Sequence, residues 1–145
     1  MTLPAPSVQA VLTEFAHHHG IAGFTLSHEG TAALRLPDGM EVFLEVVETA
    51  AKLFVYVPLD TLPQGQARQA YLEQLLHLNC LEHGTVGATL AVDSHTETVL
   101  LQIGLPLAEL TAPRLEASMQ ILVQRQPLLV ALLRRPVSAH SLMTN

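Results

Sequence analysis

The sequence is poor in cysteine and in basic residues. Its single cysteine, Cys80, excludes a disulfide within the chain and cannot supply the paired or fourfold thiolates of a cysteine zinc site. Seven basic residues stand against thirteen acidic ones, which gives a formal net charge of −6. No lysine or arginine cluster is present to neutralise a row of phosphates. These shortages argue against redox chemistry and against a nucleic-acid partner.

Long hydrophobic runs are also missing. The longest uninterrupted apolar stretches, residues 53–59 and 128–133, reach about a third of the ~20 residues that a membrane-spanning helix needs. The first residues carry no basic run followed by an apolar segment and a small-residue cleavage site, which is the pattern of a secretory signal. We therefore expect a cytoplasmic protein that does not insert into a membrane.

The motifs of several enzyme classes are absent. The sequence has neither G-x-x-x-x-G-K-[ST] nor G-x-G-x-x-G, so it lacks the phosphate cradles of nucleotide hydrolysis and dinucleotide binding. It also lacks the H-E-x-x-H spacing of metalloproteases and the G-x-S-x-G turn of serine hydrolases. These absences predict that the protein is not an enzyme, binds no cofactor and has no small-molecule substrate.

Histidine is the one residue type whose abundance suggests chemistry, with eight copies. Three of them, His17–His19, are consecutive, and neighbouring helix positions point about 100° apart, so they cannot all face one metal ion. His77 and Cys80 lie three residues apart on a predicted helix, which allows contact between a base and a thiol. A free cysteine on an apolar helix is usually a small core residue. We predict no catalytic or metal-binding residue and retain a small His/Cys enzyme as an alternative.

Apolar residues are abundant, at 49% of the chain, and charged residues make up only 14%. A chain of 145 residues is the length of one ordinary domain, and such a domain buries roughly 68–70% of its unfolded surface. This composition predicts a folded single domain with apolar surface left over for a partner.

The hydrophobic pattern predicts an α+β domain. The elements expected are a helix from Ser7 to Gly20, short strands at 24–27 and 32–36, strands at 40–48 and 53–57, a helix at 67–82, a hairpin of 89–93 and 98–105, and a helix capped by Thr111. Pro127 is expected to kink or break this last helix. The fold class is thus a mainly antiparallel twisted sheet with three helices, in the order α-β-β-β-α-β-β-α, and one of the four strand segments before the second helix is a further short strand outside this order. The domain spans residues 1–136, followed by a flexible tail at 137–145.

One predicted sheet face is unusual because it is not cleanly polar. Phe43, Val47, Phe54 and Tyr56 all share it, whereas the solvated side of an antiparallel sheet normally carries polar residues. We therefore expect another surface to cover this face.

The order and spacing of several short elements resemble those of a known family. They are the first helix ending at His19-Gly20-Ile21, the turn His28-Glu29-Gly30, and a central block with Leu75-Leu76, Asn79, Gly87, Leu90, Asp93, Leu100, Leu105-Pro106-Leu107 and Leu110-Thr111. Over nearly its whole length the chain resembles the class I chaperones of type III secretion, the Tir-chaperone-like or CesT-type family. Pro127 and the histidine-rich end of the first helix depart from the family pattern.

The resemblance implies a homodimer that binds the N-terminal chaperone-binding segment of a secreted effector. Such a protein keeps the effector soluble and competent for export without hydrolysing ATP itself, and the ATPase of the secretion apparatus is a further candidate partner. A regulatory adaptor of the same fold, which sequesters a secretion regulator, is an alternative that the sequence does not separate from the first.

The resemblance also suggests where the partners bind. The second helix and the strand after it typically form the dimer interface, and the candidate residues there are Leu72, Leu75, Leu76, Leu78, Leu90 and Val92. An effector would lie extended over apolar patches or add to a sheet edge. The candidates for that contact are Phe24, Leu26, Phe43, Phe54 and Tyr56. Packing in the core of the chain is the alternative role for every residue of both sets.

Overall fold

A computed structural model describes residues 5–134, so the tail predicted at 137–145 lies outside the described residues. Three helices and five strands follow one another in the predicted order. They are α1 (Ala5–His19), β1 (Thr31–Arg35), β2 (Glu41–Val47), β3 (Lys52–Thr61), α2 (Ala67–Asn79), β4 (Thr89–Asp93), β5 (Thr98–Pro106) and α3 (Ala112–Arg134). The predicted α+β class and element order are confirmed. No helix within residues 5–134 has the length and apolarity needed to cross a bilayer.

The five strands form one antiparallel sheet in the order β1-β2-β3-β5-β4. Alternating apolar residues on β2 and β3 set the register, which places Leu44 opposite Val55 and Phe43 opposite Tyr56. The two edges of the sheet are β1 and β4. The pairing of β3 with β5 is irregular between Pro58 and Asp60.

One face of the sheet is buried beneath helices. α3 packs on β3 and β5, α1 packs beside α3, and α2 packs against β4. Each fully buried leucine or valine of this layer contributes about 1.5–3 kcal/mol relative to an exposed one. The central residues of the core are Val8, Leu12, Val42, Leu44, Leu53, Val55, Val57, Val99, Leu101, Leu115 and Leu122.

The end of α1 is built as the sequence predicts. Gly20 adopts φ +66°, the left-handed conformation that glycine tolerates without a Cβ clash. The amide N–H of Ile21 donates to Ala16 O at 2.8 Å and that of Gly20 donates to His17 O at 3.4 Å. This pair of bonds is a Schellman motif, which satisfies carbonyls that the helix leaves free.

The strand predicted at residues 24–27 is wrong. The side chain of Gln9 on α1 forms hydrogen bonds with the backbone of this segment instead. Leu26 N–H donates to Gln9 Oε1 at 2.7 Å, and Gln9 Nε2 donates to Phe24 O at 3.3 Å. A side-chain amide thus replaces a neighbouring strand, and pairing in the sheet starts only at Thr31.

Two boundaries at the helices also differ from expectation. α2 ends at Asn79 and not at Glu82, because Leu81 and Glu82 adopt left-handed backbone angles of φ 53° and φ 59°. Of the kink or break expected at Pro127, the break does not occur, because α3 is continuous across this residue. Beyond the proline, Leu129 and Leu133 are buried, and their packing offsets the ~3 kcal/mol that an internal proline costs. The predicted cap of α3 is confirmed, since Arg114 N–H donates to Thr111 Oγ1 at 3.3 Å.

Candidate binding surfaces

The sheet face opposite the helices carries three aromatic side chains in the middle of its strands. Phe43 and Tyr56 face each other across β2 and β3, with ring centroids 5.6 Å apart and planes inclined by 21°. Phe54 lies on the same face, two residues before Tyr56 on β3 and opposite Glu45 of β2. All three side chains are half-buried, and no helix of the described chain packs over them. This aromatic face, defined by Phe43, Phe54 and Tyr56, is the mixed face that the alternation predicts.

Gly104 on the neighbouring strand leaves space for the ring of Phe54. Gly104 of β5 pairs with Phe54, and a Cβ atom placed on it would lie 3.0 Å from Phe54 Cε1 and 3.1 Å from Lys52 Cδ. The phenyl ring therefore occupies the space that a side chain at residue 104 would need. A partner would meet the ring of Phe54 lying over Gly104 of β5.

Two acidic residues, Glu45 and Asp93, lie near Tyr56 on the aromatic face. Burial, followed by the charges of Glu45 and Asp93, raises the pKa of Tyr56 above its ordinary value of 10.0. The phenol therefore stays protonated at neutral pH and can donate a hydrogen bond to a carbonyl or carboxylate oxygen. The face combines apolar area with one fixed donor, which suits contact with an extended peptide backbone.

Two further residues proposed for effector contact lie elsewhere. Phe24 is only 5% exposed, and its ring packs on Phe15 with centroids 6.0 Å apart. Its side chain therefore belongs to the core. Leu26 is half-buried in the loop that Gln9 holds.

An apolar groove, not predicted from the sequence, runs between the end of α1, the end of β1 and the middle of α3. Its volume is about 630 Å³, and its apolar lining consists mainly of Phe15, Ile21, Leu34, Leu36, Met119 and Val123. We call it the α1–α3 groove. Three segments distant in the sequence meet there, so no local pattern reveals it. The only signal is that Ile21 and Leu36 are apolar although each stands next to a turn residue, Gly20 and Pro37.

The residues predicted for the dimer interface divide into two groups. Leu75 and Leu90 are each 5% exposed and hold α2 onto the sheet within one chain. Leu72, Leu78 and Val92 are half-buried, and Leu76 is 68% exposed. One helix thus has an inward and an outward apolar side.

The loop after α2 enlarges this outward apolar surface. Leu81 is 81% exposed and Val86 is 47% exposed. Both adopt positive φ, which costs roughly 1–3 kcal/mol for residues of this type. We call Leu76, Leu81 and Val86 the α2 patch. Neither residue is predicted from the sequence, because the helix expected at 67–82 includes Leu81 and no local pattern marks Val86 as exposed.

The side chain of Asn79 fixes the position of α2 beside β4. Its Nδ2 donates to Leu90 O at 3.0 Å, and its Oδ1 accepts from Leu90 N–H at 2.8 Å. The amide thereby pairs with an edge strand as a neighbouring strand would, and it covers backbone groups that are otherwise open to another chain. This contact explains why an asparagine stands in the Leu75–Leu90 block.

The chemical alternatives gain no support from the geometry. Cys80 is exposed, so the expectation that it is a core residue is wrong. Neither it nor His77 belongs to a group of three or more potential metal ligands among residues 5–134. A group of this kind occurs at His18, His19 and Glu116, and it is described below.

The arrangement of three helices on a five-stranded sheet is that of type III secretion chaperones. The chain is similar to a chain of the ExsC–ExsE complex, with a TM-score of 0.74, 24% identity, and coverage of 92% of this chain and 97% of that one. It is similar to a chain of the HopA1–SchA chaperone–effector complex, with a TM-score of 0.66, 17% identity, and coverage of 83% and 90%.

A third similar structure is the heterodimeric ExoU–SpcU complex from the type III secretion system of Pseudomonas aeruginosa. Its TM-score is 0.64 and its identity 21%, over 86% of this chain and 98% of that one. The comparison with curated protein sequences gave no match.

The profile of the Tir chaperone protein (CesT) family matches residues 10–126. This range is most of the chain, and the chain therefore belongs to that family. The resemblance seen in the sequence, to class I chaperones of the CesT type, is confirmed.

Proposed function

We propose that this protein is a cytoplasmic chaperone of type III secretion that acts as a homodimer. It binds the N-terminal chaperone-binding segment of an effector and keeps it soluble and export-competent without hydrolysing ATP. Family membership supports this function. The observation that carries it is that apolar surface lies open at separate places: the aromatic face, the α1–α3 groove and the α2 patch.

The α2 patch is the proposed dimer interface. Leu76 projects outward from α2, which Leu75, Leu90 and Asn79 fix to the sheet, and Leu81 and Val86 extend the patch along the loop that follows. A rigid apolar surface suits a permanent interface because little conformational entropy is lost when it is covered. Leu72, Leu78 and Val92 flank this patch and complete the interface that we propose.

The aromatic face and the α1–α3 groove are the proposed contacts for the effector. Phe43 and Tyr56 offer a flat stacked surface with one hydrogen-bond donor. The groove adjoins β1, an edge strand to which an extended segment can add. Leu26 remains a candidate at the margin, whereas Phe24 supports the surface from within the core.

Co-purification from the native cell followed by a binding assay tests the function. We expect a secreted protein to co-purify, and a peptide of its N-terminal segment to bind the pure chaperone. The double variant Phe43→Ser/Tyr56→Ser should weaken that binding at least about tenfold, since each large aromatic contact contributes on the order of 1 kcal/mol or more.

Leu128→Ser is the matched control. Leu128 is an exposed apolar residue on α3, 61% exposed, and its loss should leave peptide affinity unchanged. Equal affinities for the two variants would show that the effector does not use the aromatic face. Co-purification of a secretion regulator in place of an effector would favour the adaptor alternative.

A further inference from the structure

Two histidines at the end of α1 meet a glutamate of α3. His18, His19 and Glu116 each offer one ligand atom, and these three atoms lie within 4.8 Å of one another. His19 Nε2 and Glu116 Oε1 are 3.3 Å apart. The rings of His18 and His19 have centroids 5.1 Å apart and are nearly perpendicular.

We propose that His18, His19 and Glu116 form a binding site for a divalent transition-metal ion of the Zn²⁺ type. Zn²⁺ binds imidazole nitrogen and carboxylate oxygen at about 2.0–2.2 Å, and two such ligands of a tetrahedron lie about 3.3 Å apart. The His19–Glu116 pair already has this separation. The other two pairs need to close by at most about 1.5 Å, which rotations of exposed side chains allow.

The surroundings of the three residues favour this convergence. The ring of Phe15, one turn earlier on α1, lies 4.5 Å from the ring of His19 and restricts its orientation. Glu14 lies one turn before His18 and lines the same hollow, where it can act as a fourth ligand or hold a water molecule. His17 does not belong to this group, as expected for three consecutive residues on a helix.

The ligand set selects the kind of metal. Two imidazoles with one carboxylate suit Zn²⁺ and its transition-metal neighbours, whereas Mg²⁺ and Ca²⁺ prefer sites built from oxygen alone. Because the ligands come from two helices, a bound ion would join the end of α1 to the second turn of α3. The ion therefore binds the folded chain more tightly than the unfolded one, and its binding raises the unfolding temperature.

Calorimetric titration of the metal-stripped full chain with zinc chloride tests the proposal. We expect one Zn²⁺ per chain, and an affinity at least about tenfold weaker in His18→Ala and in Glu116→Gln. His17→Ala is the matched control, because it shortens the same histidine run without removing a ligand. It should keep the wild-type affinity and the wild-type rise in unfolding temperature on addition of zinc.

Two results would overturn the site. Equal weakening by His17→Ala and His18→Ala, with Glu116→Gln unaffected, would show that zinc binds only the histidine run. Wild-type affinity in His18→Ala would reduce the group to an ion pair of His19 with Glu116. Circular dichroism and melting curves in EDTA establish that each variant is folded before zinc is added. The outcome is independent of effector binding, since no partner protein takes part.

Discussion

The hydroxyl of Tyr71 on α2 donates a hydrogen bond to Asp60 Oδ2 on β3, over 3.1 Å. The contact lies where the pairing of β3 with β5 becomes irregular, and it joins the second helix to the middle of the sheet. Burial raises the pKa of Tyr71 well above its ordinary value of 10.0, and the charge and hydrogen bond of Asp60 raise it further, while the charge of Arg134 opposes the rise. The neutral phenol is therefore the form that the folded chain prefers.

This contact makes stability depend on pH in the alkaline range. Because the folded pKa lies above the unfolded one, the stabilisation is complete below about pH 10 and is lost as the pH rises above that value. Urea unfolding between about pH 8 and pH 11 should show a steeper fall in the free energy of unfolding for the chain with Tyr71 than for Tyr71→Phe. At neutral pH the variant should be about 1 kcal/mol less stable, because it lacks the hydrogen bond.

The other tyrosine requires a control, since the pKa of Tyr56 is also raised. Both chains should therefore carry Tyr56→Phe, so that Tyr71 is the only tyrosine that differs between them. Parallel curves over the alkaline range would contradict the assignment of the pH dependence to Tyr71.

Replacement of Asn79 should loosen β4. Asn79→Ala removes both bonds to Leu90 and leaves a part-buried N–H and C=O without partners, at a cost of about 1–3 kcal/mol. Asn79→Asp keeps the acceptor and loses the donor, so its free energy of unfolding should lie between that of the unmodified chain and that of Asn79→Ala. His77→Ala, an exposed change on the same helix, is the control and should change stability by less than about 0.5 kcal/mol. Equal losses for Asn79→Ala and His77→Ala would show that the bonds contribute nothing.

Charge on the α2 patch should separate the proposed dimer. Leu76→Asp would place a carboxylate in the interface, and burial of an unpaired charge costs several kcal/mol. Light scattering should report about twice 15.7 kDa for the unmodified chain and 15.7 kDa for the variant. Leu128→Asp is a change of the same kind at a similarly exposed leucine of α3, and it should leave the mass doubled. A monomeric unmodified chain would count directly against the homodimer.

Pro127 should be a site where stability can be gained. The proline leaves the helix without one backbone hydrogen bond, so Pro127→Ala should stabilise the chain by about 1–2 kcal/mol after the greater freedom of the unfolded chain is included. Pro113→Ala is the comparison, because Pro113 stands in the first turn of α3, where its missing N–H has no partner to lose. Thermal unfolding should show a rise for the first variant only. A rise of the same size in both would contradict the explanation.

The elements that the sequence predicts well are those whose signal is local. Alternation along β2 and β3, the hydroxyl of Thr111 and the glycine at residue 20 each determine a structure within a few residues. Prediction fails where the local structure depends on a residue that is distant in the sequence. The segment at residues 24–27 has strand-like composition, yet Gln9 holds it away from the sheet. Pro127 would end an isolated helix, yet Leu129 and Leu133 find the core beyond it.

The candidate surfaces show the same division. The period-2 pattern places Phe43, Phe54 and Tyr56 on one face, and the structure confirms that arrangement. The α1–α3 groove and the pairing of His19 with Glu116 depend on how α1 approaches α3, and no local pattern encodes that approach. The pattern of His17–His19 concerns one helix alone, whereas the third candidate ligand, Glu116, belongs to α3.

The strand order has a consequence for how binding curves should look. β1 and β4 are the two edges of the sheet and lie four strand spacings apart, or about 19 Å. The groove adjoins one edge and the α2 patch the other, so a ligand at the first does not compete for area with a protein at the second. Titration of a groove ligand should then give a hyperbolic binding curve in free ligand concentration. The free ligand concentration at half-saturation should be the same at every concentration of the chaperone subunit, because self-association is a separate equilibrium.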